Sequence, residues 1–387
     1  MNRTDSKIKF VGLHAHSVAG SIFDAIGYPQ DHMDFAYENG CDALALTDHG
    51  NMNGLAYQVL HAKKMKEEGK DFKPIFGCEA YFIPSIEEWR EEYTKAMEDK
   101  KRARAVKKDA ASGATVEDEG ASKKTQDVLR RRRHLVLLAQ NQTGLNNLFK
   151  LVSESYKAEN FYRYPRIDYA LLKKYNEGII ASSACLGGVY AGNYWENREE
   201  GPEAVIDAMR DTTKRMVDIF GDRWYAEIQW NNIKEQHELN QYVIQVAQEF
   251  GVGLLTTADS HYPNPDAWKD RELYKRLGWL GKGRPSWAEE ESQLPDGVEE
   301  IGYELFPKNG DQIWKSYKQY SESTGFDYDD DVVLHSIEES YRIAFERIES
   351  FLPDNTVRLP EFVVPAGFTA TQALVNYALE GLKEKGL

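Results

Sequence analysis

Residues 8–16 read IKFVGLHAH, an apolar run that ends in two histidines separated by one residue. Successive side chains of a β-strand point to opposite faces, so the imidazoles of His14 and His16 lie on one side and can hold one cation. Asp259 and His261 repeat this arrangement after the apolar run 253–257. Two such pairs predict a metal site at the point where these strands end.

Short apolar runs alternate with helical patterns along most of the chain. The apolar runs that follow the first lie at residues 41–47, 74–82, 134–139, 178–182, 224–229 and 253–257, and helical patterns lie at 54–68, 204–220 and 235–250. This alternation predicts an α/β fold with a mostly parallel sheet or a barrel. In such folds the chemistry gathers at the carboxyl ends of the strands, where both ligand pairs stand.

Four further candidate ligands stand at the ends of predicted strands. His49 follows one strand, and Glu79, at the end of the next, has two oxygens with which it can bridge two cations. His134 opens an apolar strand, and Cys185 follows another, where a thiolate favours zinc. Each residue alone also has an ordinary structural explanation. The remaining histidines lack comparable settings and are predicted to be structural: His32, His61, His237 and His335.

Composition limits what kind of protein this can be. With 41% hydrophobic residues among 387, the chain can bury a substantial core. We expect no membrane span, because no apolar run reaches about 18 residues. Three cysteines fit a reducing cytoplasm better than a disulfide framework. The net charge of −15 argues against nonspecific adhesion to nucleic acid, although bound cations would still permit a DNA substrate.

Two segments interrupt the alternation of strands and helices. Residues 87–133 form a charged insertion that is expected to be a helix followed by a mobile segment. Most of the basic part, residues 95–133, is expected to be a solvated loop, and tethering of phosphate is the alternative. Residues 281–332 contain glycine, proline and an acidic run, and are predicted to be a linker or insertion. Residues 333–387 begin with an amphipathic helical pattern and then resemble the opening of another domain.

The strand-end motifs resemble those of the PHP (polymerase and histidinol phosphatase) domain family. More narrowly, they resemble the N-terminal region of bacterial or phage-type DNA polymerase III alpha subunits, the family C replicative polymerases. The motifs occur in the family's order: GLHAHS at 12–17, ALALTDHGN at 43–51, PIFGCE at 74–79, HLVLLAQN at 134–141, PRID at 165–168, SACLG at 183–187 and TADSHY at 257–262.

The resemblance implies a distorted seven-stranded β/α barrel of the PHP type over residues 1–280, with two or three divalent metal ions. Zinc, manganese and iron all suit mixed nitrogen, oxygen and sulfur ligands. Nine ligands are implied: His14, His16, Asp24, His49, Glu79, His134, Cys185, Asp259 and His261. Asp24 rests on the resemblance alone.

The resemblance also extends weakly into the C-terminal region. Residues 333–387 are expected to be the partial, mainly helical start of a polymerase palm region, and we expect no polymerase activity from this chain alone. The expected partners are a DNA 3′ end, the remaining polymerase region on the same or a separate chain, and other replisome subunits. The expected location is the cytoplasm near the nucleoid, or the host cytoplasm for a phage-encoded protein.

The leading functional hypothesis is metal-dependent hydrolysis of phosphodiesters, as a 3′-5′ proofreading exonuclease on DNA. Glu79, Asp259 and His261 are the candidate catalytic residues, and Asp48 is expected to orient a ligand. Arg166, and more weakly Arg163, are candidate contacts to a substrate phosphate. Two alternatives stay open: a structural PHP module that stabilises the polymerase or docks a proofreading subunit, and a free-standing small-molecule phosphatase.

Overall fold

A computed structural model of the chain describes residues 3–109, 128, 130–280, 304–354, 356–357 and 362–386. The strands are β1 (Ala43–Leu46), β2 (Lys73–Phe82), β3 (Arg133–Ala139), β4 (Phe161–Tyr162), β5 (Tyr164–Ile167), β6 (Ile179–Ser182), β7 (Trp224–Gln229) and β8 (Gly253–Thr257). The helices are α1 (Pro29–Glu38), α2 (Leu55–Glu67), α3 (Ile86–Asp109), α4 (Gln142–Ser155), α5 (Tyr169–Tyr175), α6 (Val189–Asn197), α7 (Pro202–Phe220), α8 (Lys234–Phe250), α9 (Trp268–Leu280), α10 (Gly310–Thr324), α11 (Asp330–Arg342) and α12 (Ala370–Glu384). Two 3₁₀ turns lie at Gly221–Arg223 and Pro265–Ala267, and a π-helical turn lies at Ile343–Arg347.

Seven segments form a closed ring. Strands β1, β2, β3, β6, β7 and β8 pair in that order, and the N-terminal segment, residues 10–16, lies between β1 and the end of β8. Gly12 pairs with Leu44 on one side of this segment, and Ala15 pairs with Ser260 on the other. β5 pairs with the end of β2 and carries β4 outside the ring. The predicted distorted seven-stranded β/α barrel is therefore confirmed.

β3 runs antiparallel to both of its neighbours, whereas the other strand pairs in the ring are parallel. Its first residues therefore lie at the same end of the barrel as the last residues of the other strands. In the register, His134 near the start of β3 is opposite Tyr81 near the end of β2. Because β3 is reversed, His134 at its start lies at the same end of the barrel as the candidate ligands that follow the parallel strands.

The inside of the barrel is apolar at one end and polar at the other. Alternate side chains point inward, so that Ile75 is followed by Glu79 along β2 and Tyr225 by Glu227 along β7. The π-helical turn covers the apolar end, where Lys73 donates to the carbonyl oxygens of this turn and its neighbour. The apolar layer consists of Val11, Leu13, Ala43, Ala45, Ile75, Val136, Leu138, Ile180, Tyr225, Leu255, Ile343, Ala344 and Ile348, with Ala184 beside it. The polar end remains available for functional side chains.

Helices α10 and α11 belong to the same compact unit as the barrel, Met1–Leu352. The sequence predicted a linker or insertion at 281–332, of which residues 281–303 lie outside the described residues. The described part is largely helical, and Ile313 and Tyr317 form a buried stripe on α10. The assignment of 281–332 as a linker or insertion stays a prediction. α11 packs against β8, and the hydroxyls of Ser336 and Thr256 lie 2.7 Å apart.

The charged insertion predicted at 87–133 begins with helix α3, as expected from the sequence. Trp89 anchors this helix, because its indole nitrogen donates to the carbonyl of Val128 at 2.9 Å. Residues 110–127 and 129 of the insertion lie outside the described residues.

Within the described ranges, no helix is both long enough and apolar enough to cross a bilayer.

A second unit comprises Pro353–Leu387. Its helix α12 begins with a capping box, in which Thr369 and Gln372 bond to each other's backbone amides. Apolar side chains of this helix are exposed, including Leu374 at 70% and Tyr377 at 51%. The assignment of residues 333–387 to the start of a palm region stays a prediction.

Candidate metal centre

All nine side chains predicted as ligands lie at the polar end of the barrel or in the loops beside it. His14 and His16 lie in the N-terminal segment, and Asp24 lies in the loop before α1. His49 follows β1, Glu79 lies in β2, and His134 lies in β3. Cys185 lies in the loop after β6, and Asp259 and His261 lie in the loop after β8. The pair His14 and His16 meets the pair Asp259 and His261 because the N-terminal segment closes the ring against β8.

Glu79 is the centre of the group. Its Oε1 lies 3.2 Å from His14 Nε2 and 3.1 Å from His134 Nδ1. Its Oε2 lies 2.5 Å from His49 Nδ1 and 3.6 Å from His16 Nε2. Each carboxylate oxygen thus faces two imidazoles, which is the arrangement that a bridging carboxylate requires.

Asp259 forms the second centre. Its Oδ1 lies 3.2 Å from His16 Nε2 and 3.3 Å from His14 Nε2. The Asp259 backbone has φ +49°, a left-handed conformation that is uncommon for non-glycine residues and is often found at functional sites. Its carbonyl oxygen accepts from His261 Nδ1 at 2.7 Å, which leaves His261 Nε2 to face the site.

Asp24, for which spacing gave no indication, also lies in the cluster. Its Oδ2 is 2.9 Å from His49 Nε2 and 3.4 Å from His261 Nε2. Arg271 of α9 holds the residue from behind, because its Nη2 donates to Asp24 Oδ1 at 2.8 Å and its Nε to the carbonyl at 2.6 Å. The preceding Phe23 has φ +63°, so the loop takes a strained turn to present this carboxylate.

Cys185 lies beside His134, with 3.6 Å between Sγ and Nδ1, and 3.9 Å from Glu79 Oε1. Burial and the carboxylates of Asp259 and Glu79 raise the pKa of this thiol well above its ordinary value. A divalent cation would reverse that preference by stabilising the thiolate.

Five buried polar atoms of the cluster make no hydrogen bond in the described part of the chain: His14 Nε2, His16 Nε2, His49 Nδ1, Glu79 Oε2 and Asp259 Oδ1. Buried polar groups in folded proteins are normally hydrogen-bonded, so atoms that approach one another to 2.5–3.6 Å without the direction of a hydrogen bond need an explanation. Three sets of three residues place ligand atoms within 4.8 Å of one another: His14, His16 and Asp259; His16, His49 and His261; and His49, Glu79 and His134. The donor atoms therefore fit divalent cations.

The charges of the cluster are strongly interdependent. Burial raises the pKa of Glu79, but His134, His49 and His14 outweigh it, so the pKa lies well below its ordinary value. Burial, His49 and His261 lower the pKa of His16 well below its ordinary value. Protons alone thus leave these carboxylates facing both neutral and charged imidazoles. Bound cations would displace the protons and satisfy both kinds of ligand.

Asp48 fastens the loop that follows the first two histidines. Its Oδ1 accepts from the Ser17 amide at 2.6 Å and from the Ser21 hydroxyl at 2.9 Å. Ser21 in turn lies 3.2 Å from His16 Nδ1. Burial raises the pKa of Asp48 to about 6, although the bonds from both serines oppose the rise. Asp48 thus acts on the cluster through Ser21 rather than by facing it.

Glu227 is a site residue that the sequence analysis missed. Its Oε1 lies 2.8 Å from His14 Nδ1 and accepts from the Thr257 hydroxyl at 2.6 Å, and its Oε2 accepts from the Ser182 hydroxyl at 2.5 Å. Because a carboxylate accepts, His14 carries its proton on Nδ1 and turns Nε2 to Glu79 and Asp259. The sequence feature that could have indicated Glu227 is its position as a charged residue in the buried strand β7.

Arg166 corrects an expectation, because it is not placed to contact a substrate phosphate. Its guanidinium is fully buried, donates to the carbonyls of Arg131, Tyr162 and Tyr164, and lies 4.2 Å from the ring of Trp89. Burial lowers its pKa to about 10. These contacts tie the β4–β5 hairpin to α3 and to the approach to β3. Arg163 is exposed at the hairpin turn, where a phosphate contact stays a prediction.

The histidines predicted to be structural lie outside the three candidate ligand sets. His32 Nε2 lies 2.9 Å from the Ile26 carbonyl, and His61 Nε2 lies 2.8 Å from Asp34 Oδ1. His237 bonds through both ring nitrogens, and His335 is exposed beside Arg342.

Comparison with known proteins identifies relatives of this chain. The PHP domain family model matches residues 12–231. DNA polymerase III subunit alpha of Aquifex aeolicus is 32% identical over 97% of this chain, and that of Borreliella burgdorferi is 29% identical over 97%. The chain spans 28% and 27% of the lengths of these two relatives. A solved structure of an amidohydrolase from Chromobacterium violaceum aligns with a TM-score of 0.36 and 13% identity, covering 68% of this chain and 96% of that one.

Proposed function

We propose, since this chain belongs to the PHP domain family, that it hydrolyses phosphodiester bonds with bound divalent metals and removes nucleotides from a DNA 3′ end. The observation that carries the proposal is the set of five buried nitrogen and oxygen atoms that converge at the polar end of the barrel and make no hydrogen bond among the described residues. The similarity of nearly the whole chain to DNA polymerase III alpha subunits supports DNA as the substrate.

The three candidate ligand sets would hold two or three cations of zinc, manganese or iron. Cys185 lies beside the set that contains His134. Asp24 lies beside the set that contains His261. When bound, such ions lower the pKa of water and neutralise charge on a reacting phosphodiester. Glu79 would serve two of these positions because each of its oxygens faces a different pair of imidazoles.

The residues around the ligands prepare them for this task. Glu227 holds His14 as the Nδ1–H tautomer, and the Asp259 carbonyl does the same for His261. Both imidazoles therefore turn Nε2, the nitrogen that would hold a cation, to the site. His261 lies 3.4 Å from the more exposed Asp24 and 3.5 Å from Asp259, so that His261 and Asp259 are placed to face an entering substrate. Asp48 positions the loop of Ser17 and Ser21 and has no direct part in the reaction.

The domain plan and the partners are part of the proposal. Residues 1–280 would form the phosphoesterase domain, and residues 333–387 would begin a palm region. The partners would be a DNA 3′ end, the rest of a polymerase on this or another chain, and replisome subunits in the cytoplasm. The alignment of the chain with the relatives from Aquifex aeolicus and Borreliella burgdorferi supports this plan.

The decisive experiment measures nucleotide release from single-stranded DNA labelled at its 3′ end, with manganese or zinc supplied. We expect release by the purified chain and its loss in His14→Ala, which removes the imidazole that faces Glu79 and Asp259. Histidinol phosphate in a parallel assay separates a nuclease from a small-molecule phosphatase. If a folded, metal-loaded chain releases no nucleotide, the proposal fails. Hydrolysis of histidinol phosphate would then indicate a small-molecule phosphatase, and no hydrolysis of either substrate would indicate a structural module.

A further inference from the structure

Four consecutive arginines, residues 130–133, precede His134, and the last three differ in their partners. Arg131 forms an ion pair with Glu92 at 2.9 Å, and Arg133 forms one with Glu196 of α6. Arg132 lies within ion-pair distance of no carboxylate among the described residues. Its Nη1 donates to the Arg130 carbonyl at 3.2 Å, whereas its buried Nε makes no hydrogen bond there. This cation therefore has donor capacity that the described contacts leave unused.

Arg132 lies beside the metal centre. It precedes His134 by two residues, so both side chains point to the inner face of the strand, and Arg133 between them points out to α6. The guanidinium carbon of Arg132 is 3.8 Å from the ring centre of Tyr164 and 5.4 Å from that of Tyr81. The Tyr81 ring is 5.5 Å from the ring of His134 and 6.0 Å from that of His49.

The rings of Tyr81 and Tyr164 contact the guanidinium of Arg132. These rings lie 5.1 Å apart at 69°, which gives Arg132 a corner of two aromatic surfaces. A contact between a guanidinium and an aromatic ring leaves N–H groups able to donate to oxygen, and their planar arrangement matches the spacing of phosphate oxygens. A lysine in this corner would supply charge without that planar pair of donors.

We propose that Arg132, Tyr81 and Tyr164 form a phosphate subsite beside the metal centre, which we name the arginine–tyrosine subsite. Arg132 binds the oxygens of a nucleotide phosphate while the metal-ligand cluster receives the bond to be hydrolysed. This inference rests on the proposed function and assigns to Arg132 the contact that the burial of Arg166 rules out. It also accounts for a cation that has no carboxylate partner among the described residues at the edge of a site rich in carboxylates.

Binding of product-like ligands tests the subsite without requiring turnover. The manganese-loaded chain is titrated with inorganic phosphate, thymidine 5′-monophosphate and thymidine by isothermal calorimetry. We expect Arg132→Ala to weaken binding of both phosphate-bearing ligands by about 10-fold to 100-fold, because a charged hydrogen bond is lost. Arg132→Lys should recover only part of this loss. Thymidine, which has no phosphate, should show no difference between the proteins.

Arg3→Ala is the matched control, because Arg3 also lies on a tyrosine, 4.6 Å from the ring of Tyr37, but pairs with Asp42 at the opposite end of β1. Its binding should equal that of the unchanged chain. Tyr164→Leu provides a second route to the same result, since it removes the surface that holds Arg132. Binding that is unchanged in Arg132→Ala, or absent from the unchanged chain, overturns the inference. Phosphate binding that needs Arg132 without nucleotide release would sustain the subsite and refute the nuclease.

Discussion

Two fully buried histidines occupy opposite kinds of surroundings in this molecule. His14, at the polar end of the barrel, bonds through Nδ1 to Glu227 and turns an unpartnered Nε2 to Glu79 and Asp259. His237, in α8, bonds through Nδ1 to the Tyr328 hydroxyl at 2.9 Å and through Nε2 to a backbone carbonyl at 3.0 Å. Burial alone therefore does not distinguish a ligand from a structural histidine; the unused ring nitrogen does.

The electrostatic settings of these two histidines differ in the same way. Burial lowers the pKa of His14, but the carboxylates of Asp259, Glu227 and Glu79 reverse the effect and raise it well above its ordinary value. Burial among the rings of Trp230 and Phe326 lowers the pKa of His237 to about 4. Carboxylates gathered around one histidine prepare a place for positive charge, whereas the aromatic surroundings of the other exclude it.

The largest effect is expected from Glu79→Gln. The amide keeps the shape of the side chain but has no charge and a single oxygen, so it cannot bridge two cations. We expect loss of bound metal and a fall of at least about 100-fold in nucleotide release. Metal per chain, measured by mass spectrometry after dialysis, and the release assay check this. If the variant keeps both its bound metal and its nucleotide release, the polar end of the barrel is not the functional site.

Glu227→Gln should have a smaller effect on the same end of the barrel. The glutamine can still accept from His14, but it brings no negative charge and can turn its amide group toward the ring instead. We expect metal affinity or nucleotide release to fall by about 10-fold to 100-fold. Competition with a chelator measures the affinity. If Glu227→Gln binds metal as tightly as the unchanged chain, the carboxylate serves only the packing of the barrel interior.

His237→Ala should lower stability and leave the chemistry unchanged. The substitution removes the hydrogen bonds of the imidazole to the Tyr328 hydroxyl and the Asn231 carbonyl, so we expect unfolding in urea to require about 1–3 kcal/mol less free energy. Nucleotide release per folded molecule should not change. His335→Ala, at an exposed position of α11, is the control and should alter stability by less than about 0.5 kcal/mol. A large loss of activity in folded His237→Ala would contradict the contrast between the two histidines.

The smallest effect concerns acid. The ordinary pKa of histidine is 6.5, and that of His237 is about 4 in the folded chain. Between these values the unfolded chain binds a proton here that the folded chain does not, so the free energy of unfolding falls as the pH drops from 6.5 to 4. His237→Ala lacks this contribution, and His32, with a pKa also near 4, titrates in both proteins. The stability difference between the two proteins should therefore be smaller at pH 4.5 than at pH 7. An equal difference at both values would show that His237 is charged in the folded chain.

Local geometry explains which site residues the sequence could predict. His14 and His16 are two residues apart in an extended segment, and their spacing alone places both rings on one side. Asp259 and His261 follow the same rule at the end of β8. Glu79 follows from its position in β2, because the alternation from Ile75 points it inward. These predictions need only the period of a strand and the rule that strand ends share an edge.

Other site residues depend on contacts between distant parts of the chain. Asp24 lies in an irregular loop and is held by Arg271, 247 positions away. Arg166 falls in a motif of the PHP resemblance, yet its burial under the β4–β5 hairpin gives it a structural role. Glu227 could have been suspected as a charged residue in a buried strand, but its partner His14 lies 213 positions away.

The sequence by itself determined the α/β alternation, the strand-end histidines and the family resemblance, because these depend on short-range periodicity and on residue types in a set order. Tertiary structure decided the closure of the ring by the N-terminal segment, the reversal of β3 that brings His134 to the site, and the folding of α10 onto the barrel. It also decided which arginine lies beside the metal centre. Strand direction and side-chain partners depend on which segments pack together, and short-range periodicity carries no information about those pairings.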